Sequence, residues 1–136
     1  MEIIKNKMFD NIYEVVCFQE EFENITKEKS PLTPPFLKYQ KWLIRSLTML
    51  EEFQERAINL KGFEQLKNVN PNLYSIRYPK SELNPRVLYV YLENKHILLL
   101  AVFKEKNKQD YTKNIKVAHK RLTSVIGETK VLITGE

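Results

Sequence analysis

A chain of 136 residues with 43% hydrophobic and 29% charged side chains has the size and composition of one domain with a single core, which excludes wholesale disorder. The net charge of +5 is unevenly spread: residues 1–73 carry 10 basic and 11 acidic side chains, residues 74–124 carry 11 and 4, so a polyanion would be steered to the C-terminal half. A single cysteine, Cys17, excludes an internal disulfide and a thiolate metal site, and its apolar setting "YEVVCF" reads as a buried structural thiol.

The opening "MEIIKNKMFDN" lacks the sustained apolar region of a secretory signal. The longest apolar run, residues 97–103, is far short of the roughly 20 residues that span a bilayer, so a cytoplasmic protein with no membrane partner is expected. Residues 12–18, "IYEVVCF", are β-branched and aromatic and predict a strand. A short helix follows, with Phe18, Phe22 and Ile25 at helical spacing, until the prolines of "SPLTPPF" interrupt it. Residues 36–60 carry an apolar stripe of Leu43, Leu47, Leu50 and Ala57, and predict a helix of roughly 37 Å if unbroken. Its charges oppose the helix dipole, with Lys38, Lys41 and Arg45 early and Glu51, Glu52 and Glu55 late. Either the helix breaks near residues 46–48 or these charges answer a partner. The stripe and Trp42 either pack on the sheet or receive a partner's helix. Gly62 is the expected stop.

Three strands are predicted next, over residues 73–79, 86–93 and 96–103. Their short connections, one of them the two-residue Asn94 and Lys95, make an antiparallel meander. The second and third runs are so apolar that they should be central and covered on both faces. A last helix is predicted from about Asp110, its N-cap, to Val125, with Gly127 as its stop and "KVLIT" as a possible short strand. The expected fold is α+β, in the order β-α-α-β-β-β-α, one domain over residues 1–136 with an antiparallel sheet and helices packed against it.

Several chemistries find no support. Three glycines make no phosphate-binding loop, no serine or cysteine sits in a nucleophile-elbow motif, and His96 and His119 have no thiolates beside them, so neither metal nor cofactor is expected. What remains is basic and aromatic. Arg77 on one strand and Arg86 opening the next flank one hairpin and should lie close together, with forks suited to phosphate oxygens. Lys104, Lys106 and Lys108 leave the third strand, and Tyr111 begins a helix whose N-terminus favours anions. These elements could converge on one phosphate-binding concavity.

The segments "LYSIRY", "RVLYVY", "ILLLAVFKEKNKQ" and "IKVAHKRL", with "IYEVVCFQEEFENI" upstream, resemble the RelE/HigB superfamily of bacterial toxins, in particular its phage-derived HigB-like branch. The likeness covers most of residues 12–122 and is clearest over 73–108. It implies a RelE-like fold and metal-independent, ribosome-dependent cleavage of mRNA, with a cognate antitoxin as protein partner. It assigns the catalytic positions to Arg77, Arg86, Lys104, Lys106 and Tyr111, and implies RNA contacts at Lys80, Lys108 and Lys113. Two departures stand out: Ala101 occupies a position where many relatives have histidine, and Asp110 with Tyr111 replaces the branch's usual Thr-Pro. Within that chemistry the arginines would clamp phosphate, and either Tyr111 or a lysine of lowered pKa would act as general base. The alternatives are a gyrase-targeting toxin of the same superfamily and a non-catalytic nucleic-acid-binding module with salt-sensitive affinity.

Overall fold

The computed structural model describes residues 2–28 and 37–133, with side chains as far as residue 125. The prolines of "SPLTPPF" lie outside the described residues. Six strands form one sheet: β1 (Ile3–Lys5), β2 (Ile12–Val15), β3 (Phe63–Gln65), β4 (Tyr74–Arg77), β5 (Pro85–Tyr91) and β6 (Ile97–Lys104). The helices are α1 (Phe18–Thr26), α2 (Lys38–Phe53) and α3 (Lys108–Ile133). The sheet order is β1-β2-β6-β5-β4-β3, every pairing antiparallel except β2 with β6. The chain is therefore α+β as expected, with one parallel pairing and two short edge strands beyond the expected order.

The meander follows directly from its connections. The connection between β5 and β6 is one residue longer than the expected two-residue loop: Tyr91 pairs with Ile97, the Leu92 N–H donates to the His96 carbonyl, and a 3₁₀ turn over Glu93–Lys95, with Asn94 and Lys95 at positive φ, closes the hairpin. Residues of β5 and β6 are buried almost throughout, because both strands are interior to the sheet and helices cover it. Tyr78, just past β4, stacks on Trp42 of α2, while Tyr111 of α3 meets Phe103 of β6 edge to face. In a period-two strand those contacts fall on opposite sides, so α2 lies over one face and the start of α3 over the other.

The predicted first strand is shorter than "IYEVVCF": it ends at Val15, and Phe18 opens α1, burying its ring from the helix. Helix α2 does not break near residues 46–48, but it ends at Phe53, where Gln54 adopts positive φ and a 3₁₀ turn runs over Gln54–Asn59. Each end of the helix is answered in part within the chain. The Glu28 carboxylate accepts the Tyr39 and Gln40 N–H groups at 2.9 and 2.8 Å, supplying the negative end that the first turn lacks. Glu51 is drawn away from the dipole by the backbone N–H groups of Asp10 and Asn11, both at 3.0 Å. The apolar stripe with Trp42 is buried in the core of this chain.

Gly62 does not stop that helix directly; it turns the chain into β3 at φ +92°. At the other end, α3 runs to Ile133, past Gly127 and through most of "KVLIT", so neither the predicted stop nor the extra strand forms up to that residue. Its start also differs from expectation. Asn107, not Asp110, accepts the Gln109 and Asp110 N–H groups, while the Asp110 carboxylate reaches back to the N–H groups of Lys106 and Asn107 at 2.7 and 3.0 Å. This is a reciprocal capping arrangement.

Candidate phosphate-binding site

Two adjacent cross-strand rows build the site on the face beneath α3. In one, Glu64 of β3, Ser75 of β4, Leu88 of β5 and Ala101 of β6 lie side by side. In the other, Arg77 and Arg86 are direct partners, with Phe103 next to Arg86 and Gly62 accepting the Arg77 N–H at 2.7 Å. Two guanidinium groups placed directly opposite would repel. Each is met by a carboxylate: Glu64 lies 3.6 Å from Arg77 Nε, and Glu105 accepts hydrogen bonds from Arg86 Nε at 2.9 Å and from Nη2.

Glu105 arrives there because the chain leaving β6 is stitched to the β4–β5 turn. Its N–H donates to the Asn84 carbonyl, and the Asn84 side-chain amide donates to the Glu105 carbonyl, both at 3.1 Å. Arg86 is thus 5% exposed and held, whereas the Arg77 side chain remains 38% exposed. Two buried donors, Arg77 Nε and Arg86 Nη1, lack a hydrogen-bond partner among the described residues. Such donors favour an incoming acceptor.

Tyr111 lays its ring against Arg86. The Arg86 Cζ is 5.8 Å from its ring centroid, and its hydroxyl is 2.8 Å from Ser75 Oγ and 3.4 Å from Glu64 Oε1. Because a carboxylate only accepts, the phenol points its proton to Glu64 and receives one from Ser75. Burial pushes the Tyr111 phenol up to about 12, against weaker lowering by Ser75 and Arg86. At neutral pH it therefore holds its proton and serves as a donor rather than as a base.

Arg77, Arg86 and Tyr111 are brought together as the sequence suggested. The lysines are placed differently. Lys104 alternates with Phe103 and faces the other side of the sheet, opposite Pro85. Lys106 and Lys108 are exposed at the start of α3, where the Asp110 carboxylate already fills the place an anion would take. Lys80 is exposed in the β4–β5 connection and Lys113 on α3. Ala101 is buried in the first row, so no imidazole stands at that position.

Glu64, Ser75 and Glu105 were missed by sequence reasoning. Glu64 sits on a three-residue edge strand without periodicity, and Glu105 reads as one charge in a lysine-rich stretch. The one available signal was period two on β4, which puts Ser75 on the face of Arg77. Among the described residues no group of three or more His, Cys, Asp and Glu could hold a metal ion, and no helix is long and apolar enough to cross a membrane.

Residues 37–123 match the model of a family described as phage derived protein Gp49-like (DUF891), a span that includes α2, the whole meander and the start of α3. No curated protein and no solved structure matches the chain.

Proposed function

The chain belongs to the Gp49-like family of phage-derived proteins, a family associated with the toxins of toxin-antitoxin systems, and from that premise we propose that it is such a toxin, acting on the ribosome as a metal-independent endoribonuclease. The observation that carries this reading is the direct pairing of Arg77 with Arg86, with Arg86 against the Tyr111 ring and Arg77 beside Glu64. Two forked cations next to one carboxylate and one protonated phenol are the groups that transesterification of RNA needs.

In that reaction the substrate 2′-hydroxyl loses its proton to Glu64 as its oxygen attacks the adjacent phosphorus. As the substrate enters, Tyr111, fixed by Ser75, turns its one proton from Glu64 to the reacting phosphate and leaves the carboxylate free to act as base. Arg77 and Arg86 neutralise the dianionic transition state, the electrostatic term that usually dominates. The P–O5′ bond then breaks, its oxygen taking a proton from solvent while Glu64 returns its own proton to solvent, and leaves a 2′,3′-cyclic phosphate and a 5′-hydroxyl. Arg86 starts tied to Glu105, so the free protein is held out of its working arrangement, and alignment of mRNA by the ribosome supplies the missing organisation. An antitoxin protein would restrain the toxin in its cytoplasmic setting.

The test is primer extension on a reporter mRNA in a reconstituted translation system, with wild type, Arg77→Ala and Glu64→Gln, each with and without ribosomes. New ends inside translated codons, seen only with ribosomes and lost in both variants, are the expected result. Intact mRNA at concentrations that still stop translation or growth would end the nuclease reading.

A further inference from the structure

A second concavity lies on the opposite side of the sheet, between α2 and the β3–β4 edge. It encloses about 380 Å³, a volume in the range of small-ligand sites. Its walls are mainly apolar and carry three aromatic rings, Trp42 and Tyr78, stacked at 5.7 Å between ring centroids, and Phe63. The charged residues that line it are Arg45, Lys61 and Arg77, and none of the described lining residues is acidic. Lys38 adds a cation beside the aromatic wall, its Nζ 5.9 Å from the Tyr78 ring centroid.

An apolar slot with aromatic walls and a purely cationic rim selects a flat apolar body that carries negative charge. We infer that this groove binds one unpaired nucleotide, with its base against the aromatic wall and its phosphate at the Arg45 and Lys61 rim. Stacking on aromatic side chains plus backbone charge neutralisation is the general way proteins hold single strands. The groove also meets the first site at one point. Arg77 borders both, its side chain on the face of the first site, and Gly62, which accepts its N–H, has no side chain to stand between them. A strand whose phosphate rests on Arg77 can pass over Gly62 and deliver a neighbouring base to the groove. The inference rests on the proposed RNA substrate, and makes this groove a base-selective subsite beside the cleavage position.

Trp42 is the only tryptophan in the chain, so its fluorescence reports on this groove directly. Titration of the full chain with each ribonucleoside monophosphate should quench Trp42 saturably in the millimolar range. Inorganic phosphate and the free nucleosides should bind at least about tenfold more weakly, since each supplies only half of the recognition. Arg45→Glu and Lys61→Glu, both on exposed side chains, should weaken nucleotide binding about tenfold while leaving the thermal midpoint in place. In the translation assay the same variants should shift which codon positions are cut.

Absence of saturable quenching by any nucleotide would overturn the inference, as would quenching by poly-glutamate in place of nucleotides. Cleavage at unchanged positions by Lys61→Glu, without nucleotide binding, would also overturn it while leaving the nuclease standing. Nucleotide binding without mRNA cleavage would keep the groove and remove the nuclease.

Discussion

Arg77 and Arg86 face each other across β4 and β5, yet their surroundings give them different uses. Arg86 is buried, and truncating it would leave the largely covered Glu105 carboxylate unpaired. Arg86→Ala should therefore cost about 3 kcal/mol of unfolding free energy in urea melts, so its loss of activity would mix folding with chemistry. Arg77 is more exposed, and its contact with Glu64 is long. Arg77→Ala should change stability by less than about 1 kcal/mol but reduce ribosome-dependent cleavage by about 100-fold or more. The single Arg77 variant is thus the informative one, a distinction invisible when both are simply strand arginines. Two tyrosines set an alkaline limit. Burial raises the phenols of Tyr111, to about 12, and of Tyr89, so each binds its proton more tightly in the folded chain than in the unfolded one. The stability they contribute is complete below their ordinary value of 10 and is lost as pH rises from there through the folded values. Thermal midpoints should fall across that window, and Tyr111→Phe should make the fall shallower.

At the scale of elements, helix ends decide how the site is presented. Helix α3 begins one residue after Asn107, which with Asp110 satisfies the first N–H groups from both directions. Asn107→Ala should cost about 1 kcal/mol in chemical denaturation and loosen the turn that precedes Tyr111. The Asp110 carboxyl is held below its ordinary 3.8 by hydrogen bonds from the Lys106 and Asn107 N–H groups. Its contribution is present above that value and is lost as pH falls through the lowered one, so amide exchange at Lys106 and Asn107 should accelerate only in acid. Helix α2 makes the same point about legibility. Its apolar stripe predicted the helix and its buried side, while its reversed charges looked anomalous because Glu28 and the β1–β2 turn that answer them come from elsewhere in the chain.

At the scale of the whole molecule, Arg121 ties three elements together. From α3 it donates to the Glu21 carboxylate of α1, at 2.8 Å from Nη1, and to the Leu100 carbonyl of β6, also at 2.8 Å. That carbonyl is available because the β5–β6 register shifts between Leu88 and Tyr89, which leaves Leu100 without a partner on β5. Arg121→Met should cost about 2 kcal/mol in urea unfolding and raise amide exchange in α1 and α3 together, whereas a simple surface pair would move neither. The sequence by itself determined the meander, since short connections between β-rich runs permit only antiparallel neighbours, and it determined that Arg77 and Arg86 would meet, since period two and a short hairpin leave them on one face. It also determined the helical stripes, whose periodicity is local. Only the tertiary structure decided that β2 joins β6 in parallel, that three-residue strands close both sheet edges, and that Glu64, Ser75 and Glu105 gather around the arginines and Tyr111. The reason is physical: pairing and periodicity are written in neighbouring residues, whereas the partner of a lone carboxylate depends on which distant backbone folds against it.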